Sequence, residues 1–325
     1  MTENPPIIIS GNYRSGTSLL WRLLSADLAY SEFYYEPLHP FLPSLINTSL
    51  IYRCYRLNPK LLQLWSPGFH SSRFYLCKSD QWNELYNYLR GIVCNGTISK
   101  FTRIALRLSW ILEQFPTAFI INLVRDPRDV CLSYLRSAYI NSMRSYNKFH
   151  PIKVSFKIRE IFQKDYFPKD LITSPGVDLN IYFAQEYLNR SSDFAHWAEY
   201  INELAEYPPY IRILGLWRVN VEQSLRDIEL NSDRRVLTIF YEDICYRPEK
   251  TFEKIYRFLN RDLPNEIRDE FYRDNPKFKL PGRRTFHEKI VSLKTGRWKA
   301  IEGEIWHRGI EAAGMSSVMK KLSYL

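Results

Sequence analysis

The run IIISGNYRSGTSLL, residues 7–20, constrains the fold more than any other stretch of the chain. Residues 7–10 read as a short buried parallel strand. Residues 11–16 form a glycine-bearing loop. From Thr17 to Leu28, Leu19, Leu20, Leu23, Leu24 and Leu28 recur at helical spacing and predict a helix with one apolar face. Such a loop collects anions, because its amides and the first unpaired helix N–H groups converge on one spot that the helix dipole makes positive. Gly16 lets the backbone come close, and Ser15, Thr17 and Ser18 add hydroxyl donors. A nucleoside-triphosphate loop carries lysine after its last glycine, to reach the outer phosphates. Thr17 stands in that place here, and the loop's cation is Arg14. A triphosphate is therefore a poor fit, and one phosphate carrying a further anionic group fits better.

The rest of the chain repeats the strand-then-helix rhythm. EFYYEPLHP predicts an aromatic strand ending at Glu36 and stopped by Pro37. Residues 41–98 carry no clean period and read as helices and loops rich in Tyr, Trp and Leu. FTRIALRLSWILEQFP, residues 101–116, has helical periodicity, and AFIINLV, residues 118–124, is the clearest strand. RDPRDVCLSYLRS follows, with Pro127 fitted to a first helical turn. RRVLTIFYEDI reads as another strand and PEKTFEKIYRFLN as another helix. The alternation predicts an α/β fold, with a central parallel sheet of about five strands flanked by helices. The 325 residues are expected to form a single domain. Residues 138–192, basic and aromatic without a period, read as a helical or loop insertion that forms a lid or the acceptor side. Residues 275–299 read as a basic ordered loop.

Arg125 stands at the end of the clearest strand, and Ser133 lies on the helix that follows. In a parallel sheet, strand ends of this kind open on the edge where α/β proteins bind ligands. The planar fork of Arg125 suits a second phosphate. The formal net charge of +10 agrees with an anionic ligand, and equally with a nucleic acid or an anionic membrane. The cysteines, 54, 77, 94, 131 and 245, are odd in number and widely spaced. Neither a disulfide framework nor a zinc site is expected, and reduced thiols in a cytoplasm are. No apolar run reaches the length of a membrane span, so none is expected, and no signal peptide is expected ahead of the first strand.

Together these segments resemble the sulfotransferases that use 3′-phosphoadenosine-5′-phosphosulfate (PAPS). RSGTSLL resembles their 5′-phosphosulfate loop, and LVRDPRDVCLSYLRS their 3′-phosphate segment. VLTIFYEDICYRPEKTFEKIYRFLN resembles the strand and helix that follow in many members. KTGRWK, holding Lys294, Gly296 and Arg297, resembles a late basic loop over the 3′-phosphate. The resemblance implies sulfuryl transfer from PAPS to a hydroxyl or amine, with adenosine 3′,5′-bisphosphate as product. It implies no metal and no nucleic-acid partner. The acceptor is left open among a small molecule, a glycan, a lipid and a peptide.

Sulfuryl transfer needs an in-line acceptor, charge stabilisation at the bridging oxygen, and a base for the acceptor proton. The resemblance to members acting on carbohydrates and on protein tyrosine makes Glu36 the candidate base, with His39 as a rival. Arg14 is the electrophilic group that the loop itself places. Lys100, read as standing at a helix mouth, is the candidate for the leaving phosphate, with Lys78 as its alternative. Tyr241 and Trp298 are flat rings suited to adenine. Two other functions stay open on the residues alone. One is a kinase-like phosphotransferase using Asp126 for magnesium; the other is a non-catalytic binder of polyanions or nucleic acid.

Overall fold

The computed structural model describes residues 4–39, 42–47, 50–66, 82–102, 104–146, 194–231, 234–272, 275–276, 287–288, 295–301 and 303–325. They divide into two compact units. The first comprises Met1–Arg125 with Gln223–Thr295, and the second Asp126–Glu222 with Gly296–Leu325.

The first unit is built on five strands: β1 (Ile7–Gly11), β2 (Glu32–Tyr35), β3 (Thr97–Phe101), β4 (Phe119–Val124) and β5 (Val236–Phe240). Their order is β2-β3-β1-β4-β5. Every pairing is parallel, so all five carboxyl ends open on one edge. The expected parallel sheet is therefore present. β1 lies in the middle, and all five of its residues are buried. A strand covered on both faces must be largely apolar, which Ile7, Ile8 and Ile9 satisfy, with Ser10 as a buried polar exception. Its alternating side chains feed two cores. Ile8 joins Tyr34, Tyr55, Tyr88 and Trp110 on one face, while Ile7 and Ile9 join Leu20, Leu23, Ile121 and Phe252 on the other.

Three local readings need correction. The first helix, α1 (Thr17–Leu24), stops before Leu28, which is 81% exposed. The Ser25 hydroxyl bonds back to the Trp21 carbonyl. Asp27 then turns into the interior, where Tyr256 and Arg261 donate to its carboxylate. Residues 101–116 are not one helix. β3 runs to Phe101, a 3₁₀ turn covers Ala105–Arg107, and α2 begins only at Leu108 (Leu108–Gln114). Partners on both sides, β1 and β2, hold TISKF extended whatever its local period. Finally, α3 (Pro127–Tyr146) continues past Ala138, where the insertion was expected to start. Most of the 138–192 stretch lies outside the described residues, as do Lys78 and Lys294.

The second unit is helical. It includes the start of α3, Ala195–Glu203, Gly303–Ala312 and Ser316–Lys321. The Tyr200 hydroxyl and Arg218 both donate to the Ala313 carbonyl, which closes the end of one of these helices.

Candidate active site

The loop after β1 is shaped by two left-handed residues, Arg14 (φ 70°) and Gly16 (φ 100°). Left-handed residues alternating with ordinary ones turn successive amides into one concavity, the backbone pattern of an anion-binding nest. The Ser15 amide closes the turn onto the Asn12 carbonyl, and Leu19 and Leu20 start α1 on the Gly16 carbonyl. Gly16 is needed for space as well as for φ. A Cβ there would lie 2.3 Å from a ring carbon of Tyr241. Ser15 and Thr17 are buried, and the Ser15 hydroxyl has no hydrogen-bond partner within the protein. Arg14 is exposed.

Arg125 follows directly after β4, the neighbour of β1, on the same sheet edge. Its guanidinium lies 4.2 Å above the Tyr241 ring and donates to the Arg14 carbonyl at 3.3 Å. Tyr241, at the start of α4 (Tyr241–Tyr246), is thus packed between the loop glycine and the arginine. It braces the loop and Arg125 against each other.

The second cluster stands at the ends of β2 and β3. Glu36 directly follows β2 and is left-handed (φ 47°), and its amide donates to the Lys100 carbonyl. That turn brings its carboxylate back over β3. Lys100 is correspondingly not at a helix mouth. It is a β3 residue, paired in register with Ile9 and Tyr35, with a side chain only 2% exposed. A lysine is buried this deeply only with a counter-charge, and Lys100 forms an ion pair with Glu36. Thr102 completes the arrangement, with its amide 3.2 Å and its hydroxyl 2.8 and 3.0 Å from the carboxylate oxygens. The Lys100 ammonium also sits 4.4 Å from the centre of the Tyr35 ring, and the Tyr35 hydroxyl meets the Ser18 hydroxyl at 2.7 Å. A continuous set of contacts therefore runs from the phosphate loop to the carboxylate. Burial raises the Tyr52 hydroxyl pKa, and Tyr35 and the Glu36 carboxylate raise it further. Tyr52 accordingly stays neutral beside them. His39 is tied to this turn by its amide, which donates to the Glu36 carbonyl.

Ser133, Gly296 and Arg297 belong to the second unit. Ser133 is half-buried on α3. Gly296 is left-handed (φ 71°) and opens the 3₁₀ turn that carries Arg297. Two residues that the sequence reading passed over organise this turn. The Asp129 carboxylate accepts from the amides of Gly296 (2.7 Å) and Trp298 (3.4 Å). Arg128 lies 3.5 Å over the Trp298 ring, so that a face assigned to adenine is already covered. Asp126 receives Arg128 through two side-chain nitrogens and the Arg128 amide. An acidic residue just ahead of a proline-started helix was the available signal for Asp126 as a helix cap. Nothing local marked Asp129 or Thr102.

A family model described as the sulfotransferase family matches residues 5–166, a span holding the loop, Glu36, Lys100, Arg125 and Ser133. The chain belongs to the sulfotransferase family. It is a PAPS-dependent sulfotransferase by class, as its phosphate motifs implied. No curated protein matches this sulfotransferase significantly in sequence. Among solved structures, sulfotransferase STF1 of Mycobacterium tuberculosis is similar at 14% identity, covering 82% of this chain and 70% of that one, with a TM-score of 0.43. Sulfotransferase STF9 of Mycobacterium avium is similar at 16% identity, covering 83% and 67%, TM-score 0.43. Mouse sulfotransferase SULT7A1, solved with PAP, is similar at 14% identity, covering 99% and 89%, TM-score 0.42.

Proposed function

We propose that this sulfotransferase moves the sulfuryl group of PAPS onto an acceptor hydroxyl, with Glu36 as the base and the whole chain acting as one domain. The loop amides with Arg14, Ser15, Gly16, Thr17 and Ser18 hold the 5′-phosphosulfate. Arg125 and Ser133, with Lys294, Gly296 and Arg297 of the late loop, hold the 3′-phosphate. Tyr241 supports donor binding by bracing Gly16 and Arg125. The acceptor oxygen attacks sulfur as the bond from sulfur to the bridging oxygen breaks. Its proton passes to Glu36, and adenosine 3′,5′-bisphosphate leaves with its new charge near Lys100 and Arg14. A small molecule, glycan, lipid or peptide hydroxyl is the acceptor class, in a cytoplasmic setting. Among the described residues, no helix is long and apolar enough to cross a membrane.

The observation that carries this reading is the Glu36–Lys100 pair on the same sheet edge as the phosphate loop, joined to it through Tyr35 and Ser18. The kinase-like alternative loses support on two counts. Thr17 replaces the loop lysine, and the Asp126 carboxylate is taken up by Arg128. The test is a transfer assay with labelled PAPS against a panel of phenol, a saccharide, a lipid head group and a tyrosine peptide, with and without EDTA. Label should appear in an acceptor at the same rate under both conditions. Transfer from ATP that depends strictly on magnesium would replace this reading with the kinase-like one.

A further inference from the structure

We infer that Thr102 is the positioning residue of Glu36, holding its carboxylate in one orientation and in its charged form. The inference rests on Glu36 as the base and adds a residue that neither the motifs nor the family match assigns. Glu36 sits on a backbone turn that non-glycine residues adopt rarely (φ 47°). Held by Lys100 alone, at Oε1, its carboxylate would still rotate about the last side-chain bond. Thr102 removes that freedom. Its amide binds Oε2 at 3.2 Å, and its single hydroxyl proton is shared between Oε1 at 2.8 Å and Oε2 at 3.0 Å. Oε1 thus carries the ammonium and a share of the hydroxyl, and Oε2 the amide and the other share of the hydroxyl. Among the described residues, the groups that act on this carboxylate include Lys100 from β3, Tyr52 from the 3₁₀ turn Leu50–Tyr52, and Tyr55 from the helix Arg53–Leu57. Both tyrosines are held neutral by burial, so Lys100 supplies the charge and Thr102 the direction.

A hydrogen bond to a carboxylate favours its ionised form, so its loss moves the titration upward. Thr102→Val keeps the shape and the amide but deletes the hydroxyl, and Thr102→Ser restores the hydroxyl. The direct measurement is a ¹³C-carboxyl NMR titration of the Glu-labelled full chain, with the Glu36 signal assigned by its loss in Glu36→Gln. In Thr102→Val the Glu36 midpoint should rise and in Thr102→Ser it should fall back. Turnover of labelled PAPS with phenol, glucosamine and a tyrosine peptide is measured alongside. It should fall about tenfold in Thr102→Val at unchanged KM for PAPS. An unmoved midpoint in folded Thr102→Val overturns the assignment of Thr102 and leaves the base reading standing. Full turnover in Glu36→Gln overturns the base reading, and the catalytic meaning of Thr102 with it, whatever the midpoint does.

Discussion

The phosphate loop and the Glu36 cluster share one sheet edge, yet they treat their polar groups in opposite ways. The loop leaves a donor open. Ser15 is buried with a hydroxyl that has no partner in the protein, and Arg14 is exposed. The Glu36 cluster is closed on itself, with a carboxylate that already receives an ammonium, a hydroxyl and an amide. The difference suits the tasks proposed for them. A donor-binding loop must exchange its partners for those of the ligand, so internal satisfaction would compete with binding. A base must keep one protonation state and one direction before the acceptor arrives, so its partners belong to the protein.

The largest effect expected from breaking this contrast is in Glu36→Gln. Removing a general base costs about 10²- to 10⁴-fold in turnover, while calorimetric affinity for PAPS should barely change. The ion pair adds a second consequence, because the change leaves Lys100 as a buried charge facing an amide and the Tyr35 ring in place of a carboxylate. The variant should therefore also unfold at lower denaturant. Turnover and stability must be measured on the same preparation to keep the two losses apart.

Next is Lys100→Met, which strands the carboxylate instead. Breaking a buried pair from one side costs about 3–5 kcal/mol. Here a value nearer 3 kcal/mol is expected, since Thr102 keeps two hydrogen bonds to Glu36. Urea unfolding reads it as a lower midpoint at constant slope. A loss below about 1 kcal/mol, the level of a surface pair, would mean that the cluster is not closed as described.

Arg125→Ala follows. The arginine donates to the Arg14 carbonyl at 3.3 Å and stacks on Tyr241. Stability should change by less than about 1 kcal/mol. PAPS affinity should fall ten- to a hundredfold, the worth of a charge-assisted contact at about 1.5–3 kcal/mol. Affinity for ATP, which has no 3′-phosphate, should change little. Equal losses for both ligands would sever Arg125 from the 3′-phosphate.

The same contrast explains what could be read from the sequence. The loop and its neighbours declare themselves locally: IIIS and FIINLV are apolar except for Ser10 and Asn122, and Gly16 punctuates the turn. The Glu36 cluster does not. TISKF sets Thr97, Ser99 and Lys100 at positions that prove wholly buried, a pattern that resembles a surface segment more than a central strand. Lys100 is tolerable there only because Glu36 meets it from 64 positions away in the chain. Glu36 reaches it through a left-handed turn that no residue-type rule assigns to glutamate. Long-range pairing overrode both the local period and the propensity, so the residue type was legible while its element was not.

The smallest effect sharpens the contrast most. Ser15→Ala removes a buried hydroxyl that makes no hydrogen bond within the protein. Burying a hydroxyl without a partner is unfavourable, so its removal should leave folding stability unchanged or slightly raised. If the loop holds its donors open for a phosphosulfate, the same change deletes a contact that exists only in the complex. PAPS affinity should then fall by about 1 kcal/mol, roughly fivefold, and turnover at saturating PAPS should stay near that of the parent. The neighbouring Gly11 offers a control in the opposite sense, since a Cβ there would come 2.8 Å from the Ser15 oxygen and 2.7 Å from the Leu123 carbonyl. Gly11→Ala should therefore lose stability and affinity together. Binding calorimetry and thermal unfolding on the two variants separate a group kept for the ligand from one kept for the fold. If Ser15→Ala instead destabilises the protein and spares PAPS affinity, its hydroxyl is structural, and the loop is closed in the same way as the Glu36 cluster.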